Sequence, residues 1–164
     1  MEKKLSNWLA EHKIHYTLHT HPAVFTVPEA KIHSGHINGA HCKNLMLKNK
    51  KSGQLYLVTI PYDKILDLKL FRKMISAPKV RFADENDLSD FLGITPGAVS
   101  PLGLINDREN TVIFWIDQDI WNSELICCHP NVNTETLQIP KEDFHNLIKF
   151  TDNPFEVKND LPYL

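Results

Sequence analysis

The sequence is poor in cysteine and has no long apolar run, and both features exclude classes of protein. Its three cysteines are an odd count with no C-x-x-C spacing, so a disulfide framework is not expected. No apolar stretch approaches the roughly 18 residues of a membrane-spanning helix. The N-terminus also lacks the apolar segment of a secretory signal. We therefore expect a cytoplasmic protein in which Cys42, Cys127 and Cys128 are reduced thiols, or simply small buried side chains.

The common catalytic fingerprints are missing as well. There is no G-x-S-x-G nucleophile elbow, no Walker loop and no dinucleotide-binding glycine motif. What the chain does contain is enough apolar sequence, 42% of 164 residues, to build one core. With 23% charged residues it is not expected to be disordered. We predict a single domain over residues 1–164, with 151–164 as a C-terminal tail.

The net charge of −2 conceals an uneven distribution. Between Cys42 and Arg81 there are ten basic residues, opposed only by Asp63 and Asp67. Between Asp84 and Glu124 the balance reverses, with nine acidic residues against Arg108 alone. A basic half on a near-neutral protein can hold phosphates, as in nucleic-acid binding. The alternative is an ordinary solvated surface, because the sequence does not place these cations on one face.

Apolar periodicity and turn residues predict alternating short helices and strands. Helices are predicted over 2–12, from Thr26 onward through Pro28 and Glu29, and over 66–75, 85–92 and 140–150. Strands are predicted over 14–18, 42–47, 54–60, 79–82, 99–105, 111–116, 124–128 and 135–139. The order favours an α+β domain with a curled, barrel-like mixed or antiparallel sheet packed with several helices.

Three segments place polar groups or a glycine turn at the ends of apolar runs. Lys43 and Asn44 precede one such run, and they could neutralise an anion and orient a carbonyl. Gly97 to Pro101 follows a proline, so a type II turn there would leave backbone N–H groups pointing outward. His129 follows another run and could donate a hydrogen bond or orient water. A surface lysine, a plain turn and a structural histidine are the alternatives.

A group of histidines suggests a different hypothesis, a metal-dependent enzyme. The group comprises His19, His21, His33, His36 and His41. His19 and His21 could share one face of a strand, but no carboxylate or cysteine spacing completes a structural zinc pattern. We expect surface or loop histidines and no bound metal.

Taken together, the segments resemble the YbaK/ProX-type aminoacyl-tRNA editing domains from about His19 to Phe150. Residues 21–30 resemble the N-terminal signature of that family, 43–45 its lysine motif, 97–101 its G-x-x-x-P loop, and 129–130 its histidine motif. The tract 96–107 is the most specific, and it resembles the free-standing prolyl-tRNA deacylase-like branch, the PrdX or ProXp-ala type. One departure is Met46, which stands where an aromatic residue is common and could alter a wall of the pocket.

The resemblance implies a YbaK-like fold and hydrolysis, in trans, of the ester of mischarged tRNA(Pro), with Ala-tRNA(Pro) as the expected substrate. It implies no cofactor and no protein nucleophile, because water helped by a ribose hydroxyl would attack. The expected partner is the acceptor end of mischarged tRNA(Pro), with prolyl-tRNA synthetase or an elongation factor as further candidates. A non-catalytic tRNA- or synthetase-binding module of the same fold is the alternative.

The same resemblance implies roles for individual residues. Lys43 would hold the acceptor end or the substrate carbonyl, Asn44 would orient it, and Gly97 would offer a backbone N–H. Ser100 would shape the loop, and His129 would line the pocket or position the terminal ribose. The residues expected to bind substrate are Phe25, Thr26, Val27, Pro28 and Pro101.

Overall fold

The computed structural model describes residues 1–164 as an eight-stranded mixed sheet with helices packed against it. The helices are α1 (Lys3–Glu11), α2 (Val27–His33), α3 (Leu68–Met74), α4 (Glu85–Asp87), α5 (Gln118–Trp121) and α6 (Lys141–Phe150). A π-helical turn, Leu88–Leu92, continues α4, and a 3-10 helix spans Pro101–Asn106. The strands are β1 (Thr17–Thr20), β2 (Ala40–Asn49), β3 (Leu55–Pro61), β4 (Val80–Phe82), β5 (Ile113–Asp117), β6 (Leu125–Cys128), β7 (Glu135–Pro140) and β8 (Phe155–Lys158).

The strand order is β1-β7-β6-β2-β3-β5-β8, and β4 pairs with β2 off this path. Pairing is parallel for β2–β6, β3–β5 and β5–β8, and antiparallel elsewhere. The predicted mixed sheet with several helices is therefore confirmed. The sheet is open, with β1 and β8 as its end strands, so the predicted curl does not close into a barrel. None of the helices combines the length and apolar character that a membrane-spanning helix needs.

The two faces of the sheet bury different cores, and β3 shows why. Leu57 belongs to the larger core, which also contains apolar residues of α1 and α6. Val58 and Ile60 belong to a smaller core that includes Phe71 of α3. Side chains alternate along a strand, and a strand covered on both faces is apolar throughout. The one polar residue inside this apolar run is Thr59, which is fully buried.

A gap in the sheet lies beside the middle of β2. Along one edge β2 pairs with β3 from Cys42 to Lys48. Along the other edge it pairs with β6 only at Ala40 and His41, and with β4 only from Leu47 to Asn49. Residues 42–45 therefore have no strand partner on that side. This gap contains Lys43 and Asn44, and it is where other segments can approach β2.

Three of the predicted elements are wrong or incomplete. Residues 99–105 do not form a strand, because Ser100 caps a 3-10 helix by accepting from Leu102 N–H and Pro101 occupies its first turn. The predicted strand 14–18 begins only at Thr17, since Ile14 packs in the core directly after α1. The expected tail 151–164 is part of the fold, because β8 pairs with β5 and Leu161 is buried.

Candidate active site

A cavity of about 250 Å³ opens at the gap beside β2. Five segments form its walls: the start of α2 with the residues just before it, the middle of β2, the residue after β3, the turn at Gly97 and the residue after β6. The lining residues are Val24, Phe25, Thr26, Val27, Ala30, Cys42, Lys43, Asn44, Tyr62, Gly97, Val99 and His129. The three polar segments singled out in the sequence therefore meet at one cavity.

Lys43 lines this cavity without a partner in the protein. It lies opposite Ile60 in the β2–β3 pairing and is half-buried. Its ammonium takes part in none of the side-chain ion pairs of the structure. Burial lowers the pKa of Lys43 below its ordinary value, and the nearby charge of Asp63 opposes that effect. A partly desolvated, unpaired cation of this kind attracts an anion or a developing negative charge more strongly than a solvated one.

Asn44 is tied to the protein at both ends of its amide. Its Oδ1 accepts from the Thr59 hydroxyl at 2.6 Å, and its Nδ2 donates to the Val99 carbonyl at 3.0 Å. Only one N–H of the amide is left for a ligand. Asn44 therefore holds the Gly97–Val99 wall against β2, whereas the sequence had suggested a group that orients substrate directly.

The turn at Gly97 has the predicted geometry. Ala98 N–H donates to Thr95 O at 3.2 Å, and Gly97, the third residue of the turn, has a φ of 86°. This combination defines a type II turn, which favours glycine at that position. The Gly97 N–H makes no hydrogen bond within the chain. A free backbone donor thus belongs to a residue that lines the same cavity as Lys43.

Ser100 and Pro101 lie behind this wall and do not line the cavity. Both side chains are buried, and the Ser100 hydroxyl donates to the His129 carbonyl at 2.5 Å. Ser100 therefore joins the glycine turn to the histidine segment, in agreement with a loop-shaping role. Pro101 begins the 3-10 helix, and its contact with substrate stays a prediction.

The backbone sets the tautomer of His129, and burial favours its neutral form. Its Nδ1 lies 2.9 Å from the Glu135 carbonyl. Because a carbonyl can only accept, Nδ1 carries the proton and Nε2 has a free lone pair in the neutral ring. Burial lowers the pKa of His129, helped by the neighbouring His21 and His41, while the Glu135 hydrogen bond opposes the shift. His129 is therefore a neutral hydrogen-bond acceptor at neutral pH.

The apolar wall comes from the segment before and within α2. Thr26 caps this helix in a capping box with Glu29, whose carboxylate accepts from Phe25 N–H at 2.7 Å and Thr26 N–H at 3.0 Å. The same contacts, first that to Phe25, lower the pKa of Glu29. Val24, Phe25, Thr26, Val27 and Ala30 line the cavity. Pro28 is exposed and does not line the cavity, so its contact with substrate stays a prediction.

Sequence reasoning missed several lining residues. Tyr62 reaches the cavity because Cys42 pairs with Pro61 and Tyr62 N–H donates to His41 O. Cys42 lies on the floor, and burial raises its pKa to about 12, so the thiol stays protonated and is no nucleophile. Met46, expected to alter the pocket wall, is buried in the larger core instead. The β2–β3 register, which pairs Cys42 with Pro61, was the signal that could have identified Tyr62 as a lining residue.

The histidine group does not form a metal site. No three side chains of His, Cys, Asp or Glu converge in the way a bound metal requires. Both ring nitrogens of His21 are engaged, with the Pro22 carbonyl and the Thr136 hydroxyl, and His41 bonds to the Ile37 carbonyl. The metal hypothesis therefore has no ligand set in this structure.

The basic residues between Cys42 and Arg81 do not share one role. Lys48 and Arg81 face each other across β2 and β4, and both pair with the buried carboxylate of Asp87. Among the other basic residues, four exposed ones form a group that we name the basic cluster: Lys50, Lys51, Arg72 and Lys79. Its members are adjacent, since Lys50 N–H donates to Lys79 O and the Arg72 side chain to Pro78 O. The cluster lies at the far end of β2 from Lys43, roughly 20 Å away at 3.3 Å per residue.

Comparison with known proteins gives one consistent family. Residues 21–147 match the family model of the aminoacyl-tRNA editing domain. The chain is 36% identical over 149 residues to the prolyl-tRNA editing protein ProX of Acetoanaerobium sticklandii, covering 90% of each chain. It is 34% identical to prolyl-tRNA synthetase associated domain-containing protein 1 of Danio rerio, over 93% of this chain and 84% of that one.

Solved structures share the fold. A crystal structure described as a candidate trans-editing enzyme for prolyl-tRNA synthetase superposes with a TM-score of 0.70 at 18% identity, covering 96% of this chain and 97% of that one. A hypothetical protein superposes with a TM-score of 0.72, also at 18% identity, covering 94% and 98%. With the match over residues 21–147, these findings show that the chain belongs to the aminoacyl-tRNA editing domain family.

Proposed function

We propose that this protein removes alanine from mischarged tRNA(Pro), acting in trans on the ester between the amino acid and the terminal ribose. As a member of the editing family it is an aminoacyl-tRNA deacylase. The observation that carries the finer proposal is the unpaired Lys43 ammonium in a small, largely apolar cavity that Gly97, with its free N–H, also lines.

The chemistry needs positioning and charge stabilisation more than a protein nucleophile. Water adds to the ester carbonyl, and the carbonyl oxygen becomes an oxyanion that Lys43 and the Gly97 N–H stabilise. The bond between the carbonyl carbon and the ribose oxygen then breaks, and the ribose oxygen takes a proton to give free tRNA and alanine. The neutral Nε2 of His129 accepts a hydrogen bond from the terminal ribose, which orients the ester in the cavity.

The apolar cavity wall at α2 supports the proposal that the substrate carries a small amino-acid side chain. Val24, Val27 and Ala30 approach the cavity from one side, and Phe25 lies at its mouth with 71% of its surface exposed. A synthetase pocket shaped for proline gains only about 1–3 kcal/mol of discrimination against a side chain that lacks methylenes. A second, smaller pocket can instead exclude the proline ring by size, and this is the selection that we propose here.

The basic cluster supports tRNA as the carrier of the ester. Lys50, Lys51, Arg72 and Lys79 are exposed and have no carboxylate partner, unlike Lys48 and Arg81. At roughly 20 Å from Lys43 they could contact backbone phosphates of the acceptor stem while the aminoacyl end occupies the cavity. Association with prolyl-tRNA synthetase would suit the same surface, because the enzyme and the synthetase share one tRNA.

The pH dependence of the reaction tests the role of His129. Because its pKa is lowered below 6.5, the ring is neutral at pH 7 and gains a charge only as the pH falls further. Protonation removes the Nε2 lone pair, so we expect kcat/KM to be constant near neutrality and to fall at acid pH with an apparent pKa below 6.5. Single-turnover rates between about pH 5 and 8 measure this. A fall that begins above pH 6.5 would contradict the assignment, and His129→Asn should remove the acid limb.

A deacylation panel tests the proposed function. The wild-type protein is incubated with tRNA charged with alanine, cysteine, serine or proline, and the remaining ester is measured over time. We expect alanyl-tRNA to be hydrolysed fastest and prolyl-tRNA to be spared by a factor of about 100 or more. Preference for cysteine or serine would overturn the assigned amino acid. Binding of every charged tRNA with no hydrolysis would indicate a binding module instead of an enzyme.

A further inference from the structure

We propose that Thr59 is a positioning residue for this reaction, acting through Asn44 on the wall that carries the Gly97 N–H. The inference rests on the proposed function for its effect on turnover. Thr59 does not line the cavity, and its side chain is fully buried. It therefore cannot touch the substrate, and any influence on the reaction has to pass through a neighbour.

The path is a chain of two short hydrogen bonds. Thr59 lies directly opposite Asn44 in the β2–β3 pairing, and its hydroxyl donates to Asn44 Oδ1 at 2.6 Å. Asn44 Nδ2 then donates to the Val99 carbonyl at 3.0 Å. An amide can rotate by 180°, which would turn its oxygen toward the Val99 carbonyl, where two acceptors would repel. The Thr59 hydroxyl holds the oxygen on the other side and so keeps the N–H aimed at the loop.

The loop packs on the larger core through Val99, and Ala98 is buried, but few hydrogen bonds fix the direction of its backbone groups. Residues 95–99 belong to no helix or strand, and they fill the gap where β2 lacks a strand partner. Their other ties are the turn hydrogen bond at Ala98 and the Ser100 hydroxyl, which bonds to the His129 carbonyl. The Asn44 bond is the one that joins the loop to the strand carrying Lys43. Thr59 therefore helps to hold the loop that contains Gly97 against the strand that carries Lys43.

The hydroxyl has no second use in the structure. Its one hydrogen bond is that to Asn44, and it lies in the otherwise apolar run from Leu57 to Ile60. Valine has the same shape, so Thr59→Val removes the bond without opening a cavity. A matched control is Thr151→Val, because Thr151 is also buried and its hydroxyl donates to a carbonyl, that of Ile148, away from the cavity.

The test compares kinetics and spectra of these variants of the full chain. For Ala-tRNA(Pro) we expect Thr59→Val to lower kcat by about tenfold with little change in KM, and Thr59→Ser to restore most of the turnover. Thr151→Val should lose stability but not kcat. In an Asn44→Ala background, Thr59→Val should cause no further loss, because the path is already broken. An unchanged kcat in Thr59→Val would overturn the proposal. So would a further loss of kcat, as large as in the wild type, when Thr59→Val is added to Asn44→Ala.

A readout without tRNA separates this inference from the proposed function. In ¹⁵N–¹H NMR spectra, Thr59→Val should shift the side-chain amide signal of Asn44 and the backbone amide signals of Gly97 and Val99. Thr151→Val should leave all of them in place. If the wild-type protein does not hydrolyse any aminoacyl-tRNA, the proposed function fails, while these shifts still decide whether Thr59 positions the loop. If the amide signals of Asn44, Gly97 and Val99 do not shift in Thr59→Val, the positioning role of Thr59 is contradicted.

Discussion

Lys43→Ala is expected to lower kcat/KM for Ala-tRNA(Pro) by about 10²–10³-fold, the usual effect of removing a preorganised stabiliser of an oxyanion. The reason is that Lys43 is the lysine that lines the cavity, and no group of the protein pairs with it. The fold should not suffer, because a partly desolvated and unpaired ammonium destabilises the native state slightly. We therefore expect a melting temperature equal to or above that of the wild type.

Two controls make this result specific. Lys3→Ala removes an exposed lysine at the start of α1, and it should leave both turnover and stability unchanged. Circular dichroism and thermal unfolding show whether the Lys43 variant stays folded. Wild-type turnover by a folded Lys43→Ala protein would remove Lys43 from the mechanism. Loss of folding together with activity would show a structural role, contrary to the position of its ammonium in the cavity.

Gly97→Ala is expected to reduce kcat by about 100-fold while KM changes much less. An alanine Cβ would lie 3.5 Å from the Phe25 ring, an ordinary contact, so space is available. The conflict is in the backbone, because a φ of 86° is unfavourable for an L-residue. The turn can relieve this strain by changing from type II toward type I, which rotates the Pro96–Gly97 peptide by about 180°. That rotation turns the Gly97 N–H away from its present direction.

Gly53→Ala is the matched control for this effect. Gly53 also has a positive φ, 78°, and nothing lies within 4 Å of an added Cβ, but it lies in the β2–β3 turn away from the cavity. Both variants should lose about 1–2 kcal/mol of the free energy of unfolding. Only Gly97→Ala should lose turnover. Equal kcat values for the two variants would show that the Gly97 N–H does not act on the substrate.

The sequence predicted the local elements near the site because their signals are local. Thr26, Pro28 and Glu29 define the start of α2 within a few residues, and Gly97 after a proline defines its own turn. The strand predicted over 99–105 was wrong because two local signals compete in this segment. Its apolar residues gave the expected pattern, but Ser100 followed by Pro101 is also a helix start, and that signal prevailed.

The gap beside residues 42–45 could not be predicted from the sequence. It exists because β6 and β4 each pair with a different end of β2, and those pairings join residues about 30 to 90 positions apart. Thr59 was predictable in part, since a turn between β2 and β3 fixes the register that places it opposite Asn44. A hydroxyl in an otherwise apolar strand indicates a polar partner for Thr59. Only the strand register identifies that partner as Asn44.

Hydrolysis of Ala-tRNA(Pro) at the Lys43 cavity can be measured by the loss of the ester under single-turnover conditions. Purified wild-type protein is mixed in excess with Ala-tRNA(Pro), and with Pro-tRNA(Pro) in parallel, and the loss of ester is compared with the spontaneous rate. The proposed function predicts rapid loss of the alanyl ester and a prolyl ester that decays at the spontaneous rate. An alanyl ester that survives as long with the protein as without it, although the tRNA is bound, would contradict the claim.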